Sequence, residues 1–411
     1  MFRLFLSAVI INFIFSSTYF VNLSFALTPQ EMDAEYEKAK EARKNKNWSL
    51  AKEIFIPLAE QDHASAQVSL GEMYYEGKGV PQDYKEAFKW FRLAAVQDNA
   101  DAQAYLGQMY LGGDGVPEDK KKSLKWYLRA ANQGSVIAQS NIGYAFFHGN
   151  GVPQDYKVAM NWFRLAAEED EETAQYYMGE MYRNGLGVPK DFKEALKWLK
   201  LAAEKKNSNS HNAHDALGVM FEFGQGVDKS LKEAMKWYQL GADQGNPFAQ
   251  NSLGNFYFNG NGIEQNYKEA MKWYQLAADQ GFSNAQNSVG VMYDNGKGIE
   301  QNYKEAMKWF KLAADQGLSN AQINLGHSYF NGKGIEQNYK EAMKWFKLAA
   351  DQGLADAQNS LGSLYANGQG VLQDYKEAMK WFKLAADQGN EVAKKNFKIV
   401  KNLEKQLLEK K

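Results

Sequence analysis

The chain has 411 residues, 45% of them hydrophobic and 14% aromatic, with a formal net charge of −1. Basic and acidic residues are interspersed without a long like-charge block, which argues against nucleic acid or an anionic membrane surface as the partner. There is no cysteine, so disulfides, thiolate metal sites and a lipidated N-terminal cysteine are excluded.

The first stretch, "MFRLFLSAVIINFIFSSTYFVNLSFALTPQ", carries Arg3, an apolar run, and then Ser24-Phe25-Ala26. Small residues at −3 and −1 suit signal-peptidase cleavage after Ala26. The run is long enough to approach a membrane span, so an uncleaved anchor is the competing reading. Asn12, Ser16, Ser17, Thr18 and Asn22 interrupt it and favour removal. The expectation is an exported chain, periplasmic or secreted, with residues 1–26 a signal peptide and no membrane span after its removal. Thr28, Pro29 and Glu31 then spell a helix start. Residues 27–63 read as a divergent helix pair, with Ile54 where later units carry Trp.

From residue 64 the sequence repeats. Trp90, Trp126, Trp162, Trp198, Trp237, Trp273, Trp309, Trp345 and Trp381 follow one another at 36 residues, except for one step of 39 between Trp198 and Trp237. Gly71, Gly107, Gly143, Gly179, Gly218, Gly254, Gly290, Gly326 and Gly362 keep the same step. Nine units share one design, and the extra three residues fall in "EKKNSNSHN" between two units. In "ADAQAYLGQMYLGGDGVPEDKKKSLKWYLRAANQG", Ala102, Leu106 and Tyr110 lie on one helical face with Gly107 beside them. A glycine inside a helix is unfavourable, so its recurrence implies close approach of a partner helix.

Gly-x-Gly-Val then ends the first helix and turns the chain. The second helix opens on Asp83, Asp119, Asp155, Asp191, Ser230, Asn266, Asn302, Asn338 or Asp374, all residue types that accept an N–H at a helix start. Glu three residues later, as at Glu86 and Glu305, gives a capping-box pattern. Tyr303, Ala306, Met307, Phe310, Ala313 and Ala314 form a buried stripe that Trp309 widens. Past the ninth unit, Lys398 stands where the packing glycine would be, so residues 391–411 read as a polar capping helix.

The unit pattern, carried by Ala102-Gln103, Leu106-Gly107, Tyr110, Gly113, Gly115-Val116, Asp119, Trp126, Ala130-Ala131 and Gly134, resembles the Sel-1-like repeat of the tetratricopeptide superfamily. The resemblance covers residues 64–390. It implies an all-α fold, a right-handed α-solenoid of stacked antiparallel helix pairs, used as a non-catalytic scaffold for protein or peptide partners. Exported bacterial members are associated with envelope regulation or host contact. Some secreted, cysteine-rich members are linked to β-lactams, so an envelope enzyme or an antibiotic- or peptidoglycan-binding protein is the alternative. The absence of cysteine weakens that analogy.

In tetratricopeptide-like stacks the first helix of each pair lines the concave side. On that face the sequence places Asn251, Asn287 and Asn359 at one level, Tyr144, Asn255 and His327 at a second, and Phe147, Phe258 and Phe330 at a third. Asparagine can pair with a peptide backbone without reading its sequence, and exposed aromatics provide apolar area at low entropy cost. An extended peptide or partner helix is the expected occupant. Other constellations are weaker. Gly77-x-Gly79 lacks a preceding strand and a third glycine, and reads as a turn. His211 and His214, with Asp215 adjacent, have metal-ligand spacing, but exposed histidines of an inserted loop are the plainer reading. No cofactor, catalytic set or metal site is expected, and a monomer is favoured.

Overall fold

The computed structural model describes residues 27–205 and 210–409. The proposed signal peptide lies outside them. Among the described residues there are twenty-one helices and no strand. They fall in two units, residues 1–138 and 139–411.

The first unit holds α1 (Pro29–Lys44), α2 (Trp48–Glu60), α3 (Ala64–Glu76), α4 (Tyr84–Val96), α5 (Ala100–Gly112) and α6 (Lys120–Ala131). The division falls inside α7 (Val136–His148). The second unit continues with α8 (Tyr156–Glu168), α9 (Glu172–Asn184), α10 (Phe192–Ala203), α11 (Ser210–Phe223), α12 (Leu231–Asp243) and α13 (Pro247–Asn259). Then come α14 (Tyr267–Asp279), α15 (Ser283–Asn295), α16 (Tyr303–Asp315), α17 (Ser319–Asn331) and α18 (Tyr339–Asp351). The chain closes with α19 (Ala355–Asn367), α20 (Tyr375–Asp387) and α21 (Glu391–Glu409). Odd-numbered helices are the first of each pair and even-numbered ones the second. Within each unit consecutive helices pack side by side, so the fold is an α-solenoid of antiparallel pairs.

Two local signals set the pair. The nine cap residues all accept from backbone N–H groups in the first turn of the second helix. The capping box closes at Thr28 and Glu31, but in the repeating pairs the glutamate pairs forward instead. Glu305 meets Lys308 at 2.5 Å, because the cap's own N–H is already used: Asn302 N donates to the Tyr293 carbonyl at 2.9 Å. The first glycine after each first helix ends it in the left-handed region, as Gly332 does at φ +72. The second does more than turn. A Cβ on Gly334 would lie 2.5 Å from the Tyr303 carbonyl oxygen of the preceding pair.

Packing divides the aromatics by duty. A Cβ on Gly326, inside α17, would lie 2.6 Å from the Phe346 ring on α18. The residue after each tryptophan therefore fills the seam within a pair, under its glycine. The tryptophan reaches back to the previous pair: Trp381 packs with Ala342, Phe346, Leu361 and Leu364. Alanines at 342, 349, 350 and 357 let the helices come close enough for this core to run on from pair to pair. At the end α21 buries Ala393 and Val400 against α20, while Lys398 is exposed.

A buried glutamine ladder ties pairs together, and its role was not apparent from the sequence. Gln322 donates to the Ala314 carbonyl at 3.3 Å and accepts from Gln352 of the next second helix at 2.8 Å. The same bond joins Gln97 to Gln67, Gln133 to Gln103, Gln280 to Gln250, Gln316 to Gln286 and Gln388 to Gln358. Glu169 stands where the donor glutamine of this ladder would be, and the buried Oε1 of Gln139 has no hydrogen-bond partner. A carboxylate cannot donate to it. Glu169→Gln is expected to stabilise the chain by about 1 kcal/mol, measured as a higher urea midpoint; an unchanged or lower midpoint contradicts the ladder's energetic role.

Candidate partner-binding wall

The pairs near the C-terminus separate constant from variable surface. The helices α16, α18 and α20 have the identical sequence YKEAMKWFKLAAD. Their first helices differ: SNAQNSVGVMYDN, SNAQINLGHSYFN and ADAQNSLGSLYAN. Some of the variation is in the core, at Val289/Leu325/Leu361 and Met292/Ser328/Leu364, and the rest is at solvent-accessible positions such as Val291/His327/Ser363 and Asp294/Phe330/Ala366.

The structure separates the three expected levels. The second is accessible: Tyr144 is 37% exposed, and Asn255 and His327 are exposed as well. Asn255 accepts from the Tyr274 hydroxyl at 2.7 Å, which holds it in place. His327 sits edge-on to Phe346, and burial of that packed face lowers its pKa against the opposing pull of Asp356. The third level is half-buried. Phe147 packs on Tyr156 and Tyr177, Phe258 on Tyr267 and Phe330 on Tyr339, at 5.0–5.3 Å between ring centroids.

The first level is less open: Asn287 and Asn359 are half-buried. Asn287 accepts from Asn324 at 2.9 Å and Asn359 from Asn396 at 3.0 Å. Asn251 is only 9% exposed. Asn287 and Asn359 turn their oxygens to the neighbouring first helix and serve the stack.

Polar groups on the first helices behave differently in two places. In the first unit they satisfy one another. Arg43 pairs with Glu72, which also accepts from the Tyr105 hydroxyl at 3.1 Å. Tyr75 donates to Asp114 at 2.7 Å and accepts from Gln108 at 3.2 Å.

In the second unit, α9, α11 and the start of α13 line an open cavity of about 450 Å³ with Tyr176, Glu180, Arg183, Asp215, Val219 and Phe248, among others. Arg183 meets Glu180 Oε2 at 2.7 Å. Glu180 Oε1, Arg183 Nε and Asp215 Oδ1 are buried without a hydrogen-bond partner, as is Oδ1 of Asn251, the counterpart of Asp215 one pair further on. Asp215 is 9% exposed, and burial pushes its carboxyl up to about 8. An unfolded aspartate loses its proton near pH 4, so the folded chain binds more protons across that window and its stability falls as pH rises from about 4 to 8.

The family model of the Sel1 repeat matches residues 64–99, 100–135, 136–171, 173–207, 211–246, 247–282, 283–318, 319–354 and 355–390. The chain belongs to the Sel1 repeat family. Among solved structures it is similar to a protective antigen of uropathogenic Escherichia coli that displays an SLR fold. The two share 32% identity over 90% of this chain and 88% of that one, with a TM-score of 0.57. It is also similar to a Sel1 repeat protein from Oxalobacter formigenes, at 33% identity over 76% of this chain and 90% of that one, with a TM-score of 0.58. No curated protein matches the chain. Sel1 repeats form scaffolds, and such a scaffold points to protein partners. Among the described residues no helix is long and apolar enough to cross a membrane.

The cavity sits where the Sel1 pattern breaks. His214 stands in place of the ladder glutamine, and is buried rather than exposed as the sequence suggested. Its Nε2 lies 3.2 Å from the Ala203 carbonyl and its ring stacks on Trp237 at 5.8 Å, so it fills the glutamine's structural place. The His211 side chain lies outside the described residues. Reading by levels missed Glu180, Arg183 and Asp215, although a signal was present. Charged residues there occupy first-helix positions that hold Asn255, Phe258 and Asn251 one or two Sel1 units later.

Proposed function

We propose that this Sel1 repeat protein is an exported, non-catalytic adaptor that holds an extended segment of a protein partner against the wall formed by its first helices. The observation that carries the reading is the contrast between three identical second helices and their dissimilar first helices. With the second helix constant, the accessible differences among first helices, Val291/His327/Ser363 and Asp294/Phe330/Ala366, are the ones a partner would meet. The accessible level, with Tyr144, Asn255 and His327, would make the contacts, and the half-buried Phe147, Phe258 and Phe330 would supply apolar area between them.

Export rests on Arg3, the apolar run and Ser24-Phe25-Ala26. The Escherichia coli relative's description as a protective antigen supports it. A periplasmic or secreted location would put the wall in reach of envelope or host proteins.

The test is site-specific cross-linking. A photo-reactive amino acid in place of Asn255 or His327 is expected to trap a common partner from envelope or culture-medium fractions. The same probe in place of Lys272 or Lys308, on second helices, is expected to trap none. Equal trapping from both sets would overturn the assignment of the wall.

A further inference from the structure

The cavity between α9, α11 and α13 is short of hydrogen-bond donors. Two buried carboxylate oxygens in its lining, Glu180 Oε1 and Asp215 Oδ1, have no donor, and the one orphaned donor there is Arg183 Nε. Charge points the same way. The lining holds two carboxyl groups and one guanidinium: Arg183 balances Glu180, and Asp215, whose proton burial retains, is the carboxyl that an added cation would ionise and pair with. Arg183 is already committed to Glu180 Oε2 at 2.7 Å and leaves Asp215 alone. Asn212 and Asn246 add polar groups to the lining, and Tyr176 and Phe248 give it aromatic faces, which favour a planar cation. A space of about 450 Å³ accommodates one long side chain with water beside it.

We propose that this cavity takes an arginine side chain of the bound partner segment, whose guanidinium donates to Asp215 and to Glu180. Arginine fits better than lysine because its planar fork reaches two acceptors on different helices at once, whereas an ammonium is a compact, strongly hydrated charge. The unit where the repeat loses its regularity thereby becomes the one that sets the partner's register: the wall tolerates many sequences, and this cavity selects one residue. The inference rests on the adaptor reading and adds a residue type to it.

The experiment uses the purified chain with methyl-labelled valine and the peptides acetyl-Ala-Ala-Xaa-Ala-Ala-amide, where Xaa is arginine, citrulline, lysine or glutamate. Citrulline keeps arginine's shape without its charge. The arginine peptide is expected to shift the Val219 methyl resonances and to bind at least about tenfold more tightly than the citrulline peptide. Asp215→Asn is expected to remove that preference while leaving the thermal transition intact or higher, since it removes a buried acid without changing its shape. Equal binding of arginine and citrulline, unmoved Val219 resonances, or an unchanged preference in Asp215→Asn would each overturn the proposal. Cross-linking at Asn255 and His327 combined with a silent Val219 would sink the arginine site and leave the adaptor reading standing.

Discussion

Replacing Phe346 with alanine is expected to destabilise the second unit by about 3–5 kcal/mol. The ring is 1% exposed and lies directly under Gly326, where no side chain competes for the space. Its edges meet His327 at 4.9 Å and Phe330 at 6.4 Å between centroids. Removing it opens a void between two helices whose backbones are held apart by the capped turns at each end, so the walls cannot close on it. Phe346→Leu is the informative partner variant. Leucine fills the same seam naturally in another pair, where Leu199 lies under Gly179, so the cost should fall to about 1 kcal/mol. Chemical unfolding measures both. An alanine variant within about 1 kcal/mol of the parent would mean that the seam is not where the pair is held.

The asymmetry between what was legible and what was not has a physical cause. Caps, turn glycines and the buried stripe are local: Asn302, Gly332 and the Tyr303–Ala314 stripe each declare themselves within one unit. Helical periodicity fixes which side chains face the helix's own partner. It does not fix on which flank the next pair lies. Asn287 and Asn359 were therefore read as open, although they bond to Asn324 and Asn396 of the following first helix. Asn255 and His327, about one turn further along their own helices than the first level, are exposed. The cavity at Asp215 was harder still. It arises from three helices in three successive pairs, and each charged residue looks like an ordinary surface substitution when read alone.

The ladder of glutamines was hidden for the opposite reason. Counterparts of Gln322 and Gln352 recur in most copies of the motif, but their bond spans 30 residues and joins a first helix to the end of its own pair's second helix, while Gln322 also donates to Ala314 of the preceding pair. Position in the repeat announces that such a residue matters. Only the packing shows that it binds one pair to another.

If the chain is a stack of interchangeable pairs, removing one whole pair should leave the rest folded, and removing half of one should not. Deleting residues 319–354 joins Leu318 to Ala355 and recreates the junction Gly-Leu-Ala that already stands at Gly353-Leu354-Ala355. It also places α16 where α18 was, and the two have the same sequence. Trp381 then packs back on Phe310 in the way it now packs on Phe346. Deleting only residues 319–336 removes α17 and leaves α18 with its seam uncovered, including Phe346, whose burial alone is worth about 1.5–3 kcal/mol.

The direct measurement is far-UV circular dichroism with thermal unfolding of the parent and both deletion variants. The expected result is parent-like helicity per residue and a similar cooperative transition for the 36-residue deletion. The shorter deletion should lose helicity and its cooperative transition. Equal damage from both would contradict a stack of self-contained pairs, and with it the reading of the first helices as a repeated binding wall.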